Sequence, residues 1–107
     1  MAARVLSPAF RAAHPDEVAR IGARARERPA SHRGLLTLLA AATRHNPSEH
    51  VHRIAADTLV VAGGRDTILR PDAQRALAVR LRHGRFALVA DGGHDVLAEA
   101  PAEVAQL

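Results

Sequence analysis

Two short stretches of this 107-residue chain hold side chains whose types and spacing suit proton-transfer chemistry. One is Gly63-Gly64-Arg65-Asp66, with Pro71 a little further on; the other is Asp91-Gly92-Gly93-His94. An aspartate that accepts a hydrogen bond from an imidazole fixes its tautomer. It also stabilises the imidazolium that forms when the histidine takes a proton. The plainer reading is a helix cap for Asp66 and a polar loop histidine for His94. Asp95, beside His94, reads as a solvated or capping acid.

The pair can meet only if both stretches leave the same edge of one sheet. Thr58-Leu-Val-Val-Ala62 is an uninterrupted β-branched apolar run, the pattern of a strand covered on both faces, and it stops at Gly63-Gly64. Pro71-Asp72 opens a helix whose apolar face draws on Ala73, Ala76, Leu77 and Ala78 to Leu81, and His83-Gly84 supplies a glycine C-cap. Phe86-Ala-Leu-Val-Ala90 is a second strand of the same buried type, and Pro101 starts a last helix. Strand, helix, strand and helix at this spacing predict a right-handed βαβ crossover with parallel strands. Both loops then sit at the carboxyl edge, where chemistry collects in such sheets.

The first half reads as helices. Pro15 with Asp16 and Glu17 opens one that carries Val18, Ile21 and Ala25 on one face. The stretch from Pro29 to Gly34 breaks it, and Gly34 to Thr43 forms the next. That helix is apolar nearly all round, which predicts that it is mostly buried. Asn46-Pro47-Ser48-Glu49 has the pattern of an N-cap and a short turn.

Thr58 to Pro71 resembles the penultimate strand and acid loop of the α/β-hydrolase fold family. Phe86 to His94, with Leu97, Glu99, Ala100 and Pro101, is similar to that family's last strand, histidine loop and final helix. The order of acid before histidine matches the family's Ser…Asp…His sequence. Residues 4–50, including Leu6-Ser-Pro-Ala-Phe10 and Ala13-His-Pro15, resemble late cap helices and a linker back to the sheet. The resemblance implies Asp66 as triad acid and His94 as triad base. It implies an α/β fold made of the C-terminal βαβα portion of a hydrolase, with residues 1–54 a helical cap remnant and linker and 55–107 the hydrolase segment.

The chain departs from the family in one decisive respect: it has no Gly-x-Ser-x-Gly elbow and no Gly-x-Asp-x-Gly in its place. Its three serines, Ser7, Ser31 and Ser48, follow no predicted strand. Asp57 also stands where relatives often carry proline. The expectation is an incomplete fold: a gene fragment, a split subunit or a truncated gene model. Two buried-type strands alone leave a long edge unpaired, so something else should pair there.

Composition narrows the alternatives. Only Phe10 and Phe86 are aromatic, which disfavours base stacking. All fifteen basic residues are arginine, and the excess of alanine beside them points to GC-rich coding rather than a cationic binding surface. Arg20, Arg24 and Arg28 recur at helical spacing and read as a solvated face. His45, His50 and His52 lack the spacing and partners of a metal site and read as linker. Gly63-Gly64 is followed by neither a G-x-G-x-x-G pattern nor a Walker lysine, so it is not a phosphate loop. With no cysteine there is no disulfide framework or thiol nucleophile, and no apolar run reaches the ~18 residues of a membrane span.

The resemblance to the α/β-hydrolase family implies part of a hydrolase of ester or amide-type bonds, expected to be cytoplasmic, to act on a small-molecule substrate once completed and to need no cofactor or metal. Alone it should be inactive, and association with a partner chain or with itself is expected. The alternative is a non-catalytic module that docks through its exposed strand edge. A small arginine-rich nucleic-acid binder is the third option, with steep salt dependence as its signature. Neither nucleic acid nor a membrane is the expected partner.

Overall fold

A computed structural model describes residues 5–27 and 29–107, without the side chain of Ser48. Arg28, read with Arg20 and Arg24 as a solvated face, lies outside the described residues. Helix α1 (Pro8–Ala13) starts at Ser7, whose Oγ accepts from the Phe10 amide at 3.1 Å, with Pro8 as the first helical residue. Helix α2 (Pro15–Glu27) opens on proline and two acids, as its sequence predicts. Helix α3 (His32–Arg44) is capped by Ser31, which accepts from the Gly34 amide at 3.0 Å. Two 3-10 turns, Pro47–Glu49 and Val51–Arg53, lead to strand β1 (Thr58–Gly63).

Helix α4 (Pro71–Arg80) and strand β2 (Gly84–Val89) complete the crossover. The strands are parallel, with Thr58 opposite Gly84 and Gly63 opposite Val89. Short helices α5 (Val96–Glu99) and α6 (Pro101–Val104) follow. Helix α4 packs against both strands. The Arg75 guanidinium lies 4.2 Å from the centre of the Phe86 ring and so covers the one aromatic side chain of β2. The core is small and aliphatic: Leu6, Val51, Ala62, Ala78, Leu81, Val89 and Val96.

Three expectations need correction. The apolar helix α3 is exposed along its whole length, Leu36 at 67% and Leu38 at 66%, because among the described residues no other element covers it. An all-round apolar pattern reports what a helix is suited to meet, and that neighbour is absent among the described residues. The strands, expected to be covered on both faces, are half-buried over Thr58–Val61, and Leu88 is exposed. Gly84 is not a helix C-cap. Leu81 takes that place, with its amide bonded to the Leu77 carbonyl, and Gly84 begins β2. Glycine is required there for space, since a Cβ would strike the Ala78 carbonyl oxygen and come 2.8 Å from the Leu81 Cβ.

The chain is open for its length. Its radius of gyration is 15.7 Å, against about 13 Å for a compact domain of this size. Apolar surface left in contact with water drives association. The isolated chain is expected to self-associate in sedimentation velocity, and Leu38→Glu is expected to shift it toward monomer while changing stability by less than about 0.5 kcal/mol. A monodisperse wild-type monomer would contradict this.

Candidate active site

The acid loop begins where β1 ends. The Asp66 amide donates to the Gly63 carbonyl at 3.1 Å, and the Arg65 amide crosses to the Gly92 carbonyl at 2.8 Å. That second bond ties the acid loop to the histidine loop. Contact this close demands glycine. A Cβ on Gly63 would run into the carbonyl oxygens of Gly92 and Gly93, and one on Gly64 into that of Ala90. None of the glycines has a positive φ, so the two glycine pairs serve close packing rather than an unusual backbone conformation.

Asp66 sits inside this junction with its side chain 2% exposed. Its Oδ1 accepts from the Ile68 amide at 2.8 Å and the Leu69 amide at 3.0 Å, which folds the loop around the carboxylate. Its Oδ2 lies 2.9 Å from Nδ1 of His94 and 3.4 Å from Nε2 of Gln74. Gln74, on α4, also donates to the Leu69 carbonyl at 2.8 Å, so it braces the same loop. Gln74 carries no motif in the sequence. Its position one turn into the helix that Pro71 opens was the available signal.

Burial acts most strongly on the Asp66 carboxyl and pushes it upward. The hydrogen bond from His94, those from the Leu69 and Ile68 amides and the attraction of His94 together outweigh it and hold the group below the ordinary value of 3.8. Asp66 is thus a carboxylate at neutral pH and can only accept. Nδ1 of His94 therefore carries a proton, and in the neutral imidazole Nε2 has the lone pair needed to take one. The His94 side chain is 31% exposed and borders a hollow of about 370 Å³ formed with Leu59, Val61, Val96 and Leu97. The pair thus has an anchored, buried acid and an accessible imidazole.

The other sequence-predicted features fall elsewhere. Asp95 occupies the N-cap position of α5 without a side-chain capping bond. Arg20 and Arg24 are exposed, and Arg20 pairs with Glu17 at 2.9 Å. His45, His50 and His52 are exposed around the 3-10 turns. Of the serines, Ser7 and Ser31 cap helices and Ser48 lies in the turn 47–49. Arg65 and Asp91 form a 3.3 Å pair between the two loops, but both are solvated and the pair adds little. No helix among the described residues is long and apolar enough to cross a membrane.

Because the folded-state carboxyl of Asp66 lies below 3.8, its ionised form stabilises the fold. That contribution is complete above the ordinary value and is lost as pH falls through it toward the folded value. Asp66→Ala is expected to cost about 2 kcal/mol at pH 7, with the difference from wild type shrinking below about pH 4. Denaturant melts at several pH values check this. A difference that stayed constant down to the lowest pH would contradict it.

Two parallel strands thus each end in a glycine-paired loop, with an aspartate on one loop bonded to a histidine on the other. The chain belongs to the alpha/beta hydrolase family, whose model matches residues 1–107. Among solved structures it is similar to a thermophilic esterase from Thermogutta terrifontis, determined with malate bound. The identity is 26% and the TM-score 0.80, over 99% of this chain and 39% of the esterase chain. No curated protein matches the sequence. The chain therefore spans about two fifths of the esterase it resembles.

Proposed function

We propose that this chain supplies the acid and the base of an esterase-type triad whose nucleophile and oxyanion donors lie on another α/β-hydrolase segment. The observation that carries the reading is the 2.9 Å contact between the buried carboxylate of Asp66 and Nδ1 of His94. In this chemistry Nε2 of His94 takes the proton of the attacking hydroxyl, and Asp66 stabilises the imidazolium. The imidazolium then protonates the leaving alcohol, and a water activated by the same nitrogen hydrolyses the acyl intermediate. Likeness to the esterase supports a carboxylic ester, a small molecule, as substrate.

In this reading residues 1–54 are cap helices and linker and 55–107 the hydrolase segment, with Val5–Ser7 bound back onto the latter. The compartment that fits is the cytoplasm. The test is to co-express the chain with the polypeptide encoded immediately upstream of Met1 and assay p-nitrophenyl butyrate. Turnover is expected in the joint assembly and in neither part alone.

The second reading, a docking module without catalysis, is favoured by the exposed leucines of α3. It predicts a stable assembly whose activity, if any, is indifferent to His94→Ala.

A further inference from the structure

Glu99 is a carboxylate that the proposed chemistry does not use, yet it reaches the histidine loop directly. It lies in α5, and its Oε1 accepts from the Gly93 amide at 3.1 Å and from the Ser7 amide at 3.0 Å. The first donor immediately precedes His94, and the second lies 92 residues away in the segment ahead of α1. Around this point the Asp95 amide donates to the Val5 carbonyl at 3.1 Å, and Leu6 and Ser7 are buried. A Cβ on Gly93 would come 2.5 Å from Glu99 Oε1 and 2.6 Å from the Ser7 nitrogen, so the three groups are in mutual contact.

The other carboxylate oxygen, Oε2, is buried and takes no hydrogen-bond partner among the described residues. Ordering of the side chain thus rests on the two bonds made by Oε1. The Gly93 amide is separated from the His94 backbone by the single Gly93 Cα, so a displacement of that amide shifts His94 except for what the two Gly93 dihedrals absorb. Loss of the clamp would let the imidazole drift from Asp66, whose own position is held separately by the Ile68 and Leu69 amides.

We infer that Glu99 is a positioning residue that locks the histidine loop onto Val5–Ser7 and so keeps the His94 imidazole in register with Asp66. The inference rests on the acid–base reading of that pair. Its role differs from that of a general structural tie, because what it controls is one distance at the site.

The test is nitrogen-15 NMR of the full chain, reading the His94 Nδ1–H resonance, which Asp66→Ala assigns by removing it. Glu99→Gln retains an acceptor at Oε1 and is expected to keep the signal. Glu99→Met fills similar space without an acceptor. It is expected to lose the signal to exchange about tenfold faster or more, while the backbone amide spectrum of the sheet is unchanged. If Glu99→Met does not fold, Glu99→Asp, too short to reach both amides, is expected to show the same loss. A wild-type signal in a folded Glu99→Met or Glu99→Asp chain would overturn the inference and leave the acid–base reading standing. Equal loss in Glu99→Gln and Glu99→Met would overturn it too. Absence of the signal from the wild-type chain would overturn the acid–base reading and this inference with it.

Discussion

In an assembly completed by a nucleophile-bearing segment, His94→Ala is expected to lower kcat by about 10⁶-fold and Asp66→Asn by about 10⁴-fold. The two losses have different physical causes. Alanine removes the nitrogen proposed to receive the hydroxyl proton, so the attacking group stays a neutral alcohol. Asparagine keeps an oxygen for the Ile68 and Leu69 amides but turns an N–H₂ donor toward Nδ1. The imidazole must then present a lone pair to that donor and move its own proton to Nε2, the nitrogen that should be a base. Little of either loss should appear in KM, because both changes act on the proton transfer that develops in the transition state. Steady-state kinetics on p-nitrophenyl butyrate check both values. A double variant no worse than His94→Ala alone would show the two acting as one unit.

Gly63→Ala is the largest structural effect expected. The added methyl has nowhere to go, because the Gly92 and Gly93 carbonyl oxygens occupy its place and both belong to rigid backbone. The histidine loop must lift, breaking the Arg65-to-Gly92 bond and drawing His94 away from Asp66. A cost of about 3 kcal/mol follows for such overpacking, equivalent to a drop in Tm of roughly 12–24 °C in a chain this small. Gly22→Ala is the internal comparison. In α2 its Cβ would meet only the end of the Arg26 side chain, at 3.5 Å. Replacing a mid-helix glycine there is expected to stabilise by about 0.5–1 kcal/mol. Opposite signs for the two substitutions, read in thermal melts, separate the demand for space from the intrinsic weakness of glycine.

The crossover was legible from residue order because strand composition, glycine stops and Pro71 agree with one another. Asp66 and His94 could be paired from topology alone, since parallel neighbours send their carboxyl ends the same way. Other features depended on tertiary contacts that no local pattern encodes. The exposure of α3 depends on which neighbours exist, not on its own periodicity. Gly84 carries the usual C-cap signal but answers to the Ala78 carbonyl instead. Glu99 meets Ser7 across almost the whole chain, a contact invisible to spacing rules. The caps at Ser7 and Ser31 were within reach, since each serine directly precedes a helical run.

We propose that this chain holds the acid and base of an esterase and takes its nucleophile from elsewhere. Fluorophosphonate labelling followed by peptide mass spectrometry tests it most directly, because the probe bonds to an activated serine and to little else. In the joint assembly the predicted adduct lies on the companion segment and forms far more slowly with His94→Ala, while Ser7, Ser31 and Ser48 stay unmodified. Stoichiometric labelling of any of those three serines, abolished by His94→Ala, would contradict the account.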